Sequence, residues 1–224
     1  CTVELWRHQM DHLDDVAQIS VADLSRDDSI PGMAARILAE APETFALVAL
    51  SMGGYVAQEI MRQAPERVSG LALIDTSARA DTDDQLKRRA ELIKQVGKVA
   101  PTWFTGVTKR LLPMLIHPER QHDPELVTII KKMAKEIGRD GYIRQQRAIM
   151  NRADGVADLT AIRCPTLVLC GRQDVLTPVN VHEEMATHIS GARLVVIEDC
   201  GHLAPLEQPH AVTAVLRYWL SGVN

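Results

Sequence analysis

A serine, an aspartate and a histidine stand in this sequence in an order and a setting that suit nucleophilic catalysis. Ser51, Asp174 and His202 each follow a short apolar run with the character of a β-strand. In such a set the imidazole takes the serine proton during attack on a carbonyl, and the carboxylate orients the imidazole. We therefore predict Ser51 as nucleophile, His202 as general acid and base, and Asp174 as the residue that orients His202.

The residues around Ser51 predict a sharp turn between a strand and a helix. Ala49 and Gly53 are the small residues of a small-x-Ser-x-Gly motif, which holds a serine hydroxyl exposed on a strained elbow. Bulkier side chains at these two positions would collide where the strand and the helix nearly touch. The helix after the elbow would aim the backbone N–H of Met52 at a developing oxyanion. The alternative is that Ser51 only caps a helix, with the glycines present for close packing.

The elements that must position these residues are those of an α/β protein with a mostly parallel sheet. Five apolar runs have strand character, and helical spacing lies between them. The predicted strands are Val16 to Leu24, Phe45 to Leu50, Val68 to Ile74, Thr166 to Cys170 and Leu194 to Ile197. Between about Asp81 and Asn151 the pattern is helical only, with Pro124 opening a helix that ends at Gly138. We predict that this insertion forms a lid over the sheet edge.

The composition argues against nucleic acid and membranes as partners. The chain has 224 residues, 46% of them hydrophobic and 24% charged, with 25 Lys and Arg against 29 Asp and Glu. A net charge of −4 without a basic stripe argues against nucleic acid, and no apolar run reaches the roughly 18 residues of a membrane-spanning helix. Four cysteines without a CxxC pair favour reduced thiols and a cytoplasmic protein, although a secretory leader could lie upstream of Cys1.

The sequence offers no cofactor site. His182-Glu183-Glu184-Met185-Ala186 begins like a zinc-protease helix, but Ala186 stands where the second histidine ligand is needed. Gly53-Gly54 lacks the remaining glycine and the acid of a dinucleotide site. We predict chemistry without a metal or an organic cofactor.

Taken together, these motifs resemble the α/β-hydrolase superfamily in its lidded esterase and lactonase branch. The resemblance is carried by Ala-Leu-Ser-Met-Gly-Gly-Tyr at 49–55, Gly-Arg-Gln-Asp at 171–174 followed by Thr177-Pro178, and Gly-His at 201–202 followed by Pro205, Glu207 and Pro209. It implies an eight-stranded sheet, a core of residues 1–75 and 156–224, a helical cap at 76–155, and a triad of Ser51, Asp174 and His202.

Two points stay open under this resemblance. Asp75 and Asp199 compete with Asp174 for the orienting role; Asp174 is preferred because its strand, turn and following helix start match the family pattern. Trp6 to Leu13 resembles the short helix that follows the oxyanion loop, so we expect that loop, the second oxyanion donor and the earlier strands to lie upstream of Cys1.

The predicted function is hydrolysis of a small carboxylic ester through an acyl-enzyme. Alternatives on the same triad are lactone hydrolysis, carbon–carbon bond hydrolysis and perhydrolysis; a non-catalytic ligand-binding protein with this fold is the alternative of another class. The predicted substrate contacts are Met52, Tyr55, Trp103, Phe104, Leu112 and Met114.

Overall fold

The apolar runs that precede the candidate residues form the strands of one sheet. In the computed structural model, which describes residues 2–108 and 110–223, the strands are β1 (Phe45–Leu50), β2 (Val68–Ile74), β3 (Thr166–Gly171) and β4 (Arg193–Ile197). Their order is β1-β2-β3-β4, and every neighbouring pair is parallel. All four carboxyl ends therefore lie at one edge, which confirms the predicted class.

Helices connect and cover these strands. Those within the described residues are α1 (Arg7–Leu13), α2 (Ile30–Glu40), α3 (Met52–Gln63), α4 (Asp83–Gly97), α5 (Leu112–Leu115), α6 (Pro124–Met150), α7 (Val179–His188), α8 (Ala204–Glu207) and α9 (Pro209–Leu220). Short 3-10 helices lie at Val3–Trp6, Pro65–Arg67, Pro101–Trp103, Pro118–Arg120 and Ala157–Ala161.

The two faces of the sheet bury different hydrophobic clusters. In β2, Leu71 and Leu73 pack with α2, α3 and α7, whereas Ala72 and Ile74 pack on the opposite face with α1, α6 and α9. This alternation follows from the two-residue period of a strand. Because both faces are covered, β3 is buried along its whole length, which explains its nearly continuous apolar sequence.

Between β2 and β3 the described residues form helices and turns, without a strand. Thr82 and Gln85 make a reciprocal capping box at the start of α4, and Asp123 caps α6 just before Pro124. Gly138 has a φ of 70° and a ψ of 174°, which interrupts α6 where the sequence predicts a helix end. The helical character of this insertion is thus confirmed.

Two expectations differ from the structure. Val16 to Leu24, predicted as a strand, is irregular beyond Val16, and none of its residues is buried, because in the described chain it gains neither a hydrogen-bonded strand nor cover on both faces. The described sheet has four strands instead of the eight implied by resemblance.

Two further expectations concern membrane-spanning helices and the state of the cysteines. Within residues 2–108 and 110–223, no helix combines the length and apolar character needed to cross a membrane. Cys164, Cys170 and Cys200 are free thiols. Cys1, also counted in the sequence argument, lies outside the described residues.

Candidate active site

The turn that carries Ser51 is strained. Ser51 has a φ of 54° and a ψ of −117°, between the last residue of β1 and the first of α3. A non-glycine residue in this region costs on the order of 1–3 kcal/mol, so surrounding contacts must hold it. The Ser51 N–H donates to the Ile74 carbonyl at 3.0 Å, and the Ser51 carbonyl accepts from the Thr76 hydroxyl at 2.7 Å. The end of β2 therefore holds the turn on both sides.

A buried histidine in turn fixes Thr76. The Thr76 N–H donates to Nε2 of His182 at 3.0 Å, and Nδ1 of His182 faces the Pro178 carbonyl at 3.3 Å. His182 is completely buried, and this burial lowers its pKa to about 4. The ring is therefore neutral near pH 7 and accepts at Nε2. Sequence reasoning considered His182 only as a metal ligand and missed this role.

Gly54 is the glycine that this arrangement constrains most. A methyl group at Gly54 would lie 2.3 Å from the Thr76 hydroxyl oxygen, whereas one at Gly53 would meet the Ala49 methyl at an ordinary 3.7 Å. The prediction placed the tight approach at Ala49 and Gly53. The structure places it one residue later, because α3 packs against the residues that follow β2.

The structure brings the three predicted triad residues into hydrogen-bonding contact. Nε2 of His202 lies 2.8 Å from Oγ of Ser51, and Nδ1 of His202 lies 2.8 Å from Oδ2 of Asp174. The Asp174 carboxylate also accepts from the Thr177 hydroxyl at 2.6 Å and from the backbone N–H groups of Leu176 and Thr177. The carboxylate thus has partners on both oxygens and is held in one orientation.

The charges at this site reinforce one another. Burial opposes ionisation of Asp174, but hydrogen bonds from His202 and Thr177 outweigh it and lower the pKa of this carboxyl group. Burial also opposes protonation of His202, yet the hydrogen bond and negative charge of Asp174 raise the pKa of the imidazole above its ordinary value. The pair therefore favours a proton on the imidazole and a charge on the carboxylate.

The two competing carboxylates lie elsewhere. Asp75 is fully buried, and its oxygens accept from the N–H groups of Gly171 at 2.9 Å and Ala204 at 3.1 Å. Burial raises the pKa of Asp75 well above its usual range. Asp199 is exposed, with a φ of 50°. Of the three candidates, Asp174 is the one whose carboxylate contacts the His202 ring.

Three of the predicted oxyanion and substrate residues lie at a helix terminus, beside a cavity and against the core. Met52 is the first residue of α3, so its N–H lies at the helix N-terminus beside Ser51. The Tyr55 ring lies under the guanidinium of Arg152, which is 4.2 Å from its centroid, and it borders a small cavity with Gln58. Leu112 packs against the core.

Three further predicted contacts, Trp103, Phe104 and Met114, lie in the helical insertion. Trp103 is 79% exposed, and the Phe104 ring packs 5.6 Å from that of Tyr142 in α6. These contacts place Trp103 at the surface and Phe104 within the packing of the insertion. Their contact with substrate stays a prediction, as it does for Met114, which is half-buried at α5.

Across the described ranges, no group of three or more His, Cys, Asp or Glu side chains is arranged to bind one ion. His182 directs one ring nitrogen at a backbone N–H and the other towards a carbonyl. It is a structural hydrogen-bonding residue.

The chain is similar in sequence to known hydrolases. The family model described as "Alpha/beta hydrolase family" matches residues 7–215. The chain is 30% identical over 172 residues to 3-oxoadipate enol-lactonase 2 of Acinetobacter baylyi, covering 75% of this chain and 62% of that protein. It is 27% identical to a pimeloyl-[acyl-carrier protein] methyl ester esterase of Neisseria meningitidis, covering 77% of this chain and 56% of that one. The matched stretch thus spans about three fifths of these two relatives.

A solved structure is similar over almost the whole chain. A thermophilic esterase from Thermogutta terrifontis, determined with malate bound, superposes with a TM-score of 0.84 and is 30% identical. The superposition covers 98% of this chain and 85% of that one.

Proposed function

Because this chain belongs to the alpha/beta hydrolase family, we propose that it is a serine hydrolase that cleaves a small carboxylic ester through an acyl-enzyme on Ser51. The observation that carries the proposal is the continuous hydrogen-bonded line from Ser51 through His202 to Asp174, with 2.8 Å at both steps. Serine, imidazole and carboxylate at these distances form the proton-transfer unit of acyl transfer.

The contacts support the following order of proton movements. With Nδ1–H of His202 donating to Asp174, Nε2 is free to accept the Ser51 proton as Oγ attacks the ester carbonyl. The imidazolium then gives this proton to the leaving alkoxide, and the alcohol departs as the acyl group stays on Oγ. A water molecule next loses a proton to Nε2 and attacks the acyl carbon. The carboxylic acid leaves, and the proton returns to Ser51.

The tetrahedral oxyanion needs donors that point at it. The Met52 N–H, at the positive end of the 12-residue helix α3, is our proposal for one of them. The positive φ of Ser51 supports this, because a serine on such a strand-to-helix elbow typically has the N–H of the following residue as one oxyanion donor.

We also propose a division of labour within the chain. Residues 1–75 and 156–224 would form the catalytic core, and the helical residues 76–155 a cap over the carboxyl edge of the sheet. The chain enters the insertion at the carboxyl end of β2, at the edge that carries the triad, and later crosses to the opposite edge to begin β3. Tyr55 and the cap residues Trp103 and Phe104 are the proposed substrate contacts.

The ester is preferred over other acyl substrates because two similar proteins are described as esterases. Hydrolysis of a lactone is the second candidate, favoured by the 30% identity to an enol-lactonase. The same triad would open a lactone without an alcohol leaving the site, so product analysis distinguishes the two reactions.

The test is covalent labelling followed by turnover. A fluorophosphonate probe should label Ser51 of the wild-type chain, and Ser51→Ala should take no label. His202→Ala should reduce both the labelling rate and the hydrolysis of p-nitrophenyl esters by about 10⁴-fold or more, because the hydroxyl loses its base. Ser69→Ala, which changes an exposed serine in β2, serves as the matched control.

Two results would contradict the proposal. One is a wild-type chain that is folded, takes no label and hydrolyses none of the esters or lactones offered, which would favour a ligand-binding protein. The other is a label on a serine other than Ser51.

A further inference from the structure

Four consecutive backbone N–H groups around the candidate base all donate hydrogen bonds to a buried carboxylate or to a distant carbonyl. We call residues 201–204 the histidine loop. The N–H groups of Gly201 and Leu203 donate to Oε1 of Glu207 at 3.0 and 3.1 Å. Those of His202 and Ala204 donate to the Leu115 carbonyl at 3.2 Å and to Asp75 at 3.1 Å. The loop is therefore held at every residue.

Glu207 makes a further contact that reaches beyond this loop. Its second oxygen, Oε2, accepts from the backbone N–H of His117 at 2.6 Å. His117 lies between α5 and α6, within the insertion that follows β2. One carboxylate thus joins the histidine loop to the insertion.

Burial makes this arrangement costly. Glu207 is only 2% exposed, and burial raises the pKa of its carboxyl group while the three N–H donors and the nearby Arg120 oppose that rise. Apolar packing would hold two backbone segments together without desolvating a charge. A buried carboxylate with three N–H donors instead fixes distances and directions, which is what a base at 2.8 Å from its nucleophile requires.

The insertion also contacts the loop closely. A methyl group at Gly201 would lie 2.7 Å from the His117 nitrogen, so the two backbones are nearly as near as they can be. His202 donates to Leu115, and His117 donates to Glu207, so residues 115–117 are joined to the loop directly at one end and through Glu207 at the other.

We propose that Glu207 is a positioning residue that couples residues 115–117 of the insertion to the histidine loop and thereby sets the place of the His202 imidazole. This inference rests on the proposed function, since it assigns Glu207 to the acid–base step of that reaction. It implies that residues 115–117 stay in place while substrate enters, and that any opening of the cap occurs in its other parts.

The pKa of His202 depends on the charges around it and provides a readout that a loss of stability alone would not change. Burial opposes a charged imidazole, whereas the negative charges of three carboxylates favour it. They belong to Asp174 in the β3–α7 loop, Asp75 at the end of β2, and Glu207 in α8. His182 on α7 adds no charge near pH 7, since burial lowers its pKa to about 4. Removing the Glu207 charge should therefore lower the pKa of His202.

The first experiment compares two glutamate variants in the full chain. Glu207→Gln keeps the shape but places an amide N–H₂ against the His117 N–H, since one side-chain oxygen remains for three donors. We expect kcat for a p-nitrophenyl ester to fall about tenfold to a hundredfold with KM nearly unchanged, as for a small displacement of a catalytic group. Glu198→Gln, which removes an exposed carboxylate paired with Arg172, should match wild type.

The pH dependence separates positioning from stability. In Glu207→Gln the acid limb of kcat/KM should move to lower pH, because the imidazole loses a neighbouring negative charge. The same direction should appear in an NMR titration of ring-labelled histidine, with the His202 signal identified by His202→Ala. A variant that is merely less stable would lose amplitude and keep the wild-type pKa.

A second pair of variants tests the coupling from the other side. His117 has a φ of −52°, and Ile116 before it is extended with a ψ of 159°, so the backbone accepts proline there. His117→Pro removes the N–H and pushes a ring carbon towards Glu207, whereas His117→Ala keeps the N–H. We expect His117→Pro to lower kcat at least about tenfold below His117→Ala.

The outcomes distinguish the two proposals. If wild type takes no fluorophosphonate label and hydrolyses no ester, the proposed function fails, while the NMR titration still decides whether Glu207 sets the pKa of His202. If wild type is active and Glu207→Gln and His117→Pro are equally active with an unmoved acid limb, the coupling is wrong and the proposed function stands. If Glu207→Gln does not fold, His117→Pro and His117→Ala decide the matter.

Discussion

At the scale of single residues, two buried carboxylates near the same imidazole differ in what they contact. Asp174 bonds to the His202 ring, whereas Asp75 bonds to the backbone of Gly171 and Ala204. An aspartate that contacts the ring fixes its tautomer, and one that holds the backbone fixes where the ring is carried.

Replacing each carboxylate by its amide should therefore give different losses. Asp174→Asn should lower kcat by about 10⁴-fold, because an amide N–H₂ facing Nδ1 favours the wrong tautomer. Asp75→Asn should lower kcat by no more than about tenfold and mainly reduce the free energy of unfolding, since one oxygen remains for two N–H donors. Ester turnover and urea unfolding of both variants provide the check. The reverse ranking of activity would reassign the orienting role to Asp75.

At the scale of elements, the position of the nucleophile depends on how closely α3 packs against the end of β2. Gly54 in α3 touches the Thr76 side chain, and Thr76 holds the Ser51 carbonyl. This contact transmits any movement of the helix to the turn that carries the hydroxyl.

Adjacent glycines offer a matched test of this packing. Gly54→Ala should destabilise the fold by about 1–3 kcal/mol through overpacking and slow fluorophosphonate labelling, because the methyl displaces Thr76 from Ser51. Gly53→Ala places its methyl at 3.7 Å from Ala49 and should label nearly as fast as wild type. Equal labelling rates of the two variants would show that the tight contact at Gly54 does not govern the nucleophile.

At the scale of the whole molecule, buried His182 makes stability depend on pH. Its pKa is about 4 in the folded protein and about 6.5 in an unfolded chain. The unfolded chain therefore binds a proton below about pH 6.5 that the folded protein refuses until about pH 4. The free energy of unfolding falls as pH falls through this window, and the loss from His182 is complete below it.

We expect this residue to remove about 2 kcal/mol of stability between pH 7 and pH 5. Urea unfolding at both pH values should show the loss in wild type and in His122→Gln, which changes an exposed histidine. His182→Gln should be less stable at pH 7 but lose clearly less on acidification, because glutamine does not titrate. An unchanged loss in His182→Gln would mean that His182 is not the group responsible.

The sequence by itself determined the α/β class, the strands β1 to β4, the helical insertion, and the places of Ser51 and His202 just after strand ends. It could do so because strand and helix periods, helix caps and the small residues beside Ser51 are local patterns. It failed for Val16 to Leu24, whose apolar residues lack the partner strand and the cover that strands require.

Only the tertiary structure decided which aspartate contacts the histidine, why Thr76 and His182 hold the turn at Ser51, and how Glu207 binds the N–H of His117, which lies 90 residues before it. These facts depend on which distant N–H groups and carboxylates are buried together. Burial of a polar side chain becomes favourable only through such partners, and chain order carries no record of them.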